Sequence, residues 1–490
     1  MTDRYRVYTK VLQTLKSRLK MYRQGHVVTL AMMITGIVMS RKAQLAVMSG
    51  EVPTAEKEKS TEMRMRRWVK HEKIEVEVTY MPFARQILEA LASAPLVLAM
   101  DGSTIGRGCM VLMVGVIYRK RALPLAWVVY KGKKGHAPAS LHVEVLQKVM
   151  PLIPEGAEVV LLGDGEYDST EMVEWVQTHT DWFFVLRTAS NILVRKGQTW
   201  RKVGTFTKQQ GSLVTAYQVA FTQTAALSLN LVAWWGATYE EPIYLITNLP
   251  NGSRACWFYK RRFRIETFFS DQKSRGFHIH KSHLSDPMRI SRLLIAACLA
   301  YIWMICFGLC VIAQDKTGLI DRTDQVDKSL FRLGLDWLKH VLKRGLPLEV
   351  HFFFQPAQFS ENVRWRIFRF DLCHVGQATA DLLHNPIRHR HGPPVHRDDA
   401  SQARGPAQIG EQSVLGIKAC EQVVGEERAL RVSIPPSRLD GDLGQVDLDL
   451  TGAQDVPDPV FLVRLGVESE PVLLDTHSFG VPPFCTSARG

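Results

Sequence analysis

Apolar residues in the first ~90 positions recur at helical spacing with no turn signals between them, which predicts a helical region that includes an apolar helix from Val27 to Met39. From Pro95 the pattern changes to strands. Leu96 to Met100 is a short apolar run ending in Asp101, and Met110 to Tyr118 and Leu125 to Tyr130 follow across a charged turn. A helix over Ser140 to Ile153, an apolar strand over Glu158 to Leu162 and a helix over Ser169 to Thr178 come next. Three strands, a helix and a further strand predict an α/β domain with a mixed sheet flanked by helices. Between Trp182 and Leu249 the runs are alternating or apolar and no long helix is visible, which predicts an inserted β domain. After it, Ala255 to Arg275 reads as one strongly basic helix, followed by a long apolar helix from about Ser285. The expected division is therefore 1–92, helical; 93–182, first part of the sheet domain; 183–250, β-rich insertion; 251–375, second part; and 376–490, a low-order tail.

The tail departs from the rest of the chain in composition. It holds one lysine, Lys418, no Trp, Tyr or Met, and much Gly, Pro, Asp and Arg. So few large apolar side chains offset little of the entropy of ordering, and a read-through or frame-shifted extension would have this character.

Charge changes the picture further. A formal +13 over 490 residues favours a polyanionic partner, because each cation placed on a phosphate releases condensed counterions. Two basic clusters flank the apolar helix, one from Arg4 to Arg23 and one of Arg64, Arg66, Arg67 and Lys70 around Trp68; they suit either a DNA grip or a solvated helix face. The eight cysteines form no C-x-x-C pair, so buried thiols in a reducing compartment are expected in place of a zinc site or disulfide framework. Met1 to Lys20 is basic from the start and lacks a secretory core, which predicts a cytoplasmic protein. Leu293 to Ala313 has the ~20 residues of a bilayer span. It begins directly after Arg289 and Arg292, however, and a helix apolar all round also forms the centre of a large domain, so a buried core helix without a membrane is the expectation.

The candidate chemistry lies in three acids. Phosphoryl transfer with divalent metals needs hard oxygen ligands converging on one point. Asp101 is read as the end of the first strand, where Gly102 lets the backbone turn. In Leu-Gly-Asp164-Gly-Glu166-Tyr-Asp168-Ser the metal is assigned to Asp164, which leaves an apolar strand; Asp168, with Glu171 three residues on, reads as a helix N-cap, and Glu166 as a loop charge. The third signal is Tyr259, Arg262, Glu266 and Lys273 at offsets 0, 3, 7 and 14, which share one face of a continuous helix. There the carboxylate would take metal while the cations hold neighbouring phosphates.

This pattern resembles the bacterial insertion-sequence DDE transposases of the cut-and-paste group marked by a Tyr-Arg-Glu-Lys signature, over roughly residues 1–375, and all four signature residues match. The resemblance implies an RNase H-like catalytic domain interrupted by a β-rich insertion, a helical DNA-binding N-terminal region, and catalysis by Asp101, Asp164 and Glu266 with two Mg²⁺ ions, for which Mn²⁺ would substitute. It implies that Tyr259, Arg262 and Lys273 position double-stranded DNA of the transposon inverted repeats and the target, within a homodimeric synaptic complex in the bacterial nucleoid, through a hairpin intermediate. Where many relatives carry Arg beside the second Asp, this chain has Asp-Gly-Glu-Tyr. A flipped base would need an aromatic platform; Trp200, Trp234 and Trp235 qualify, and Trp200 is preferred because Arg201 and Lys202 adjoin it. The Lys131-Gly-Lys-Lys134-Gly-His136 turn suits a phosphate contact or an ordinary basic hairpin. A catalytically inactive DNA-binding relic of a transposon is the alternative function.

Overall fold

The computed structural model describes residues 2–20, 23–135, 137–207, 209–322 and 328–352, with four short strands at 418–424, 427–433, 461–463 and 472–474. The chain divides into two units, Met1–Arg366 and Ile367–Gly490. In the second, Lys418–Val424 pairs antiparallel with Glu427–Ser433, and Phe461–Val463 with Val472–Leu474. The expectation of a low-order tail otherwise lies outside the described residues.

Six helices open the first unit: α1 Asp3–Arg18, α2 Gln24–Ser40, α3 Leu45–Ser49, α4 Glu58–Lys70, α5 Val76–Thr79 and α6 Met81–Leu91. Helix α1 buries Val7, Val11 and Leu15, spaced four apart on one stripe, and leaves Lys10 and Lys16 in solvent. Helix α2 is buried along most of its length, as its unbroken apolar sequence requires. The second basic cluster is partly spent internally: Arg64 pairs with Glu56 and Arg66 with Glu62, whereas Arg67 and Lys70 stay exposed. Trp68 is buried and donates its indole N–H to the His26 carbonyl at 3.0 Å.

The sheet begins with β1 Leu96–Gly106, β2 Cys109–Tyr118 and β3 Arg121–Lys131, an antiparallel meander. Helix α7 (Ala139–Val149) leads to β4 Val159–Gly163, and α8 (Thr170–His179) to β5 Phe183–Thr188; β4 lies parallel to β1 and β5 parallel to β4. The order β3-β2-β1-β4-β5, with only the meander antiparallel, is the RNase H-like arrangement.

The β-rich stretch is not a separate layer. Strands β6 Leu193–Lys196, β7 Thr199–Lys202, β8 Leu213–Phe221, β9 Leu227–Trp234 and β10 Ile243–Thr247 continue the same sheet, whose full order is β3-β2-β1-β4-β5-β10-β9-β8-β6-β7. The apolar run of β10 needs neighbours on both edges, and it inserts between β5 and β9.

Helices α9 Gly252–Tyr259 and α10 Arg264–Gln272 replace the single helix expected over Ala255–Arg275. The break has a packing cause: α9 lies on β5, β8 and β9, whereas α10 lies on β1, β2 and β3, and one straight rod cannot follow the sheet between those places. Helix α11 (Pro287–Ala313) is long and apolar enough to cross a membrane, and 94% of its most apolar window is buried inside the fold. It runs against β3, α2, α4 and α12 (Leu330–Lys343), and it meets α10 through the Phe268 and Tyr301 rings, 5.0 Å apart. Within it, buried Arg292 donates to the carbonyls of Ile74 at 2.9 Å and Val69 at 3.2 Å, tying the N-terminal helices to the core. Where α11 crosses α12 there is no room for side chains: a Cβ on Gly334 would strike the Met304 carbonyl, and one on Gly308 the Leu330 carbonyl.

Candidate active site

The sheet register brings two of the three acids together. Leu162 of β4 pairs with Ala99 of β1, so two residues further on Asp164 comes level with Asp101. Asp101 does not end its strand as its sequence suggested. Strand β1 runs on to Gly106 because β2 continues to pair with it, Asp101 opposite Met113 and Gly102 opposite Leu112. The edge facing β4 is what ends there, and it exposes Asp101 to the loop after β4. Gly102 therefore makes no turn; its missing Cβ leaves space for the Tyr167 hydroxyl, which would lie 3.3 Å from it. Gly163 makes room for the Tyr167 ring in the same way.

Asp101 is 3% exposed and accepts the Gly102 N–H at 2.8 Å. Burial first, and the negative charge of Asp164 second, push its carboxyl up to about 6 from 3.8, against the pull of Arg262 and Lys134. Asp164 accepts the Glu166 N–H at 3.0 Å, and Glu166 in turn accepts the Ala137 N–H at 3.4 Å. Asp168 is not among the groups that bear on Asp101, and its own carboxyl is raised, chiefly by burial and in small part by the charge of Asp164. The N-cap of α8 is Ser169, whose hydroxyl accepts the Met172 N–H, so the capping role expected for Asp168 falls one residue later.

Arg262 links the remaining parts. Its Nη2 donates to Glu266 at 2.7 Å, its Nη1 lies 3.9 Å from Asp164, and its guanidinium stands 5.9 Å from the Tyr259 ring. Nη1 is buried and makes no hydrogen bond. Because the helix breaks between Tyr259 and Arg264, the four signature residues do not share one helical face. Tyr259 ends α9 and is 8% exposed, Arg262 sits in the turn, Glu266 in the first turn of α10, and Lys273 at its C-cap. Lys273 donates to the Ser103 hydroxyl at 2.6 Å, two residues beyond Asp101 on the same strand. The Glu266 side chain is 56% exposed and turned to Arg262. Among the described residues no group of three or more acids, histidines or cysteines is arranged to hold a metal ion. Hard carboxylate oxygens whose mutual repulsion raises a buried acid do suit a divalent cation, and Asp101 and Asp164 meet that test; Glu266 does so only once released from Arg262.

Several neighbours escaped the sequence. His142 packs edge-on against Tyr167, ring centroids 4.9 Å apart, with both nitrogens buried and unpartnered, and burial lowers it to about 4, so it is neutral near pH 7. A cleft of about 670 Å³ opens beside Asp164, lined by Arg187, Ser190, Glu241 and Tyr244 among others. Trp200 sits on β7 at the far end of the sheet order, with the Arg195 guanidinium 5.3 Å from its ring; Trp234 is buried under Lys260, and Trp235 donates to the Tyr239 carbonyl. In the basic turn after β3, Lys134 bears on Asp101, and His136 lies outside the described residues.

Residues 93–303, which include all three acids, match the family model described as the transposase DDE domain. That match supports a DDE transposase. The chain is also similar, at 11% identity and a TM-score of 0.38, to a solved structure of the piggyBac transposase synaptic complex with hairpin DNA, over 70% of this chain and 83% of that one. No curated protein matches it.

Proposed function

We propose that the chain binds the ends of a transposon and carries out metal-dependent DNA strand cleavage and strand transfer, by cut-and-paste through a hairpin, with Asp101, Asp164 and Glu266 as its acids. The observation that carries this is the pairing of Asp101 and Asp164 at one level of adjacent parallel strands, beneath the cations Arg262, Lys273 and Lys134. Asp164 is favoured over Asp168 because it is the acid whose charge reaches Asp101.

Asp101 and Asp164 would hold divalent ions, Mg²⁺ or Mn²⁺, with Glu266 as the third ligand; bound there, such ions supply water activation and neutralise charge on the attacking and leaving oxygens. Arg262 then has two duties that exclude each other. While it holds Glu266 it screens the acid; once a DNA phosphate takes its guanidinium, Glu266 is free to turn toward the two aspartates. Its Nη1, which makes no hydrogen bond and lies 3.9 Å from Asp164, suits a phosphate oxygen, and Lys273, fixed by Ser103, supplies a second positive charge beside Asp101. Trp200 remains the proposed platform for a flipped base. The partners are the inverted repeats, target DNA and a second copy of the chain, in a bacterial cytoplasm.

Incubation of the protein with duplexes carrying the element's own ends, in Mg²⁺ or Mn²⁺, should yield cleavage at the end and then a hairpin on a denaturing gel. Asp101→Asn and Asp164→Asn should bind the ends and leave them whole. A parent protein that binds the ends yet never cuts them in either metal would refute the enzyme in favour of the inactive relic.

A further inference from the structure

Each of the two paired acids has a glycine as a chain neighbour, Gly102 after Asp101 and Gly163 before Asp164. Successive Cβ positions on a strand face opposite sides of the sheet, so the two glycines lie on the face away from the acids. One side chain occupies the space that both leave. A Cβ on Gly163 would fall 2.9 Å from the Cβ of Tyr167 and 3.2 Å from its ring, and a Cβ on Gly102 would fall 3.3 Å from its hydroxyl. Tyr167 is fully buried, and its N–H donates to the Asp164 carbonyl at 3.1 Å. Its backbone is thus tied to one acid while its side chain crosses to the strand of the other, with His142 of α7 packed edge-on against the ring.

The crossing falls where backbone pairing no longer sets a distance. The β1–β4 ladder stops at the pair Ala99 and Leu162, two residues short of Asp101 and Asp164, and beyond it the charge of one carboxylate bears on the other. The Tyr167 hydroxyl makes no hydrogen bond, so it meets β1 by its size alone, although leaving a buried hydroxyl unpaired is costly. Burial, and next the charge of Asp101, hold the phenol pKa well above its ordinary 10, so the ring adds no third negative charge under the acids.

We propose that Tyr167 is a positioning residue, a strut that reaches from the end of β4 to β1 under the two acids and fixes their separation for a divalent cation. The strut follows from the packing; its use rests on the transposase reading, in which Asp101 and Asp164 hold metal. Tyr167 itself touches neither metal nor DNA. It acts by keeping the loop after β4 at one distance from β1 against the repulsion of the acids, so that the carboxylates are already spaced when a cation arrives. Gly102 and Gly163 are required because any side chain at either position would push the ring out of the gap.

The test uses the full chain, Tyr167→Phe and the double variant Gly102→Ala/Tyr167→Phe. The Phe ring keeps its place on Gly163 but stops short of β1. In the double variant the methyl added at position 102 enters the space that the hydroxyl left, and it fits because no ring atom of Tyr167 comes within 4 Å of it. Binding of Mn²⁺ alone is followed by the electron paramagnetic resonance of the free ion. Deuterium uptake is followed in the peptide holding Glu166 and Tyr167, whose N–H groups both bond Asp164. In Tyr167→Phe, Mn²⁺ should bind about 10-fold more weakly, the lower end of what loss of support behind metal ligands costs. The same peptide should exchange faster while α11 exchanges as in the parent, and the double variant should return both readings to the parental values. Parental affinity and exchange in Tyr167→Phe, or losses that the added methyl does not restore, overturn the strut. A parent that binds no Mn²⁺, but whose loop loosens in Tyr167→Phe and tightens again in the double variant, keeps the strut and refutes the metal reading of the two acids.

Discussion

Replacing Asp101 by Asn should stabilise the metal-free protein, and by an amount that depends on pH. Asn is nearly isosteric with Asp, keeps an oxygen to accept the Gly102 N–H, and carries no charge. In the folded parent the carboxyl ionises only at about 6, against 3.8 when exposed, because it is buried and faces Asp164. A raised folded-state value means that ionisation costs folding free energy; the cost is absent below the unfolded value, grows from there to about pH 6, and is constant above. The rise from 3.8 to about 6, at about 1.36 kcal/mol for each pH unit, gives a penalty of about 3 kcal/mol at neutral pH, an upper value because the loop can relax. The charged groups around Asp101 are Asp164, Arg262, Lys134 and Lys273, with the Tyr167 phenol beside them. Their coupling to Asp101 is already part of its raised value, whereas His142 and Asp271, which titrate in the same range, are not shifted by Asp101 and cancel in the difference. Urea unfolding followed by tryptophan fluorescence, in chelator, should show Asp101→Asn gaining on the parent between about pH 4 and 7 and holding that gain to pH 8. Millimolar Mg²⁺ should then stabilise the parent and leave the variant unmoved, since only an ion that prefers the folded state raises stability. A stability difference that is flat with pH would show that Asp101 carries no electrostatic strain and would remove the physical basis for placing a metal there.

Glu266→Gln should cut end-containing DNA slower by orders of magnitude while binding it as well as the parent or better, because Arg262 is released for phosphate; cleavage at the parental rate would rule Glu266 out as a ligand. Gly334→Ala should lower stability by about 1–3 kcal/mol or more, despite Ala being the better helix former, since its methyl meets the Met304 carbonyl; an unchanged urea midpoint would contradict the close crossing of α11 and α12. Arg292→Met leaves the Ile74 and Val69 carbonyls without their buried donor and should cost about 3 kcal/mol; unfolding in two separate transitions would further show that this residue couples the N-terminal helices to the sheet.

Element type was legible wherever one periodicity ran long enough, as in α11, whose all-round apolarity gave both the helix and its burial, and in the apolar strand leading to Asp164. Boundaries failed where a partner element decided them. Leu96 to Met100 looks complete by itself, yet β1 continues through polar Ser103 and Thr104 because β2 is there to pair with them. The split of the basic helix into α9 and α10 was invisible for a similar reason: every residue from Ala255 to Gln272 tolerates helix, and only the separate strands beneath the two halves impose the bend. The same limit applies to the candidate site. Local sequence offered Asp101, Asp164, Arg262, Glu266 and Lys273 because charged residues beside apolar runs stand out. Tyr167 and His142 were missed, since a tyrosine and a histidine near core positions look like ordinary filler until Gly102 and Gly163 are seen to make room for the phenol.

The threading of β10 between β5 and β9 also sets the order in which this chain can be made. As synthesis proceeds from the N-terminus, β5 emerges with a bare edge that β6 to β9 do not fill, and it stays bare until residue 247 has followed. Only then do the turn with Arg262 and the helix with Glu266 appear, and α11 after them closes over β3. A nascent or truncated chain therefore shows an open strand edge and an uncovered apolar sheet face before it holds a complete set of acids, and in that interval it is a substrate for chaperones and aggregation long before it is a hazard to DNA.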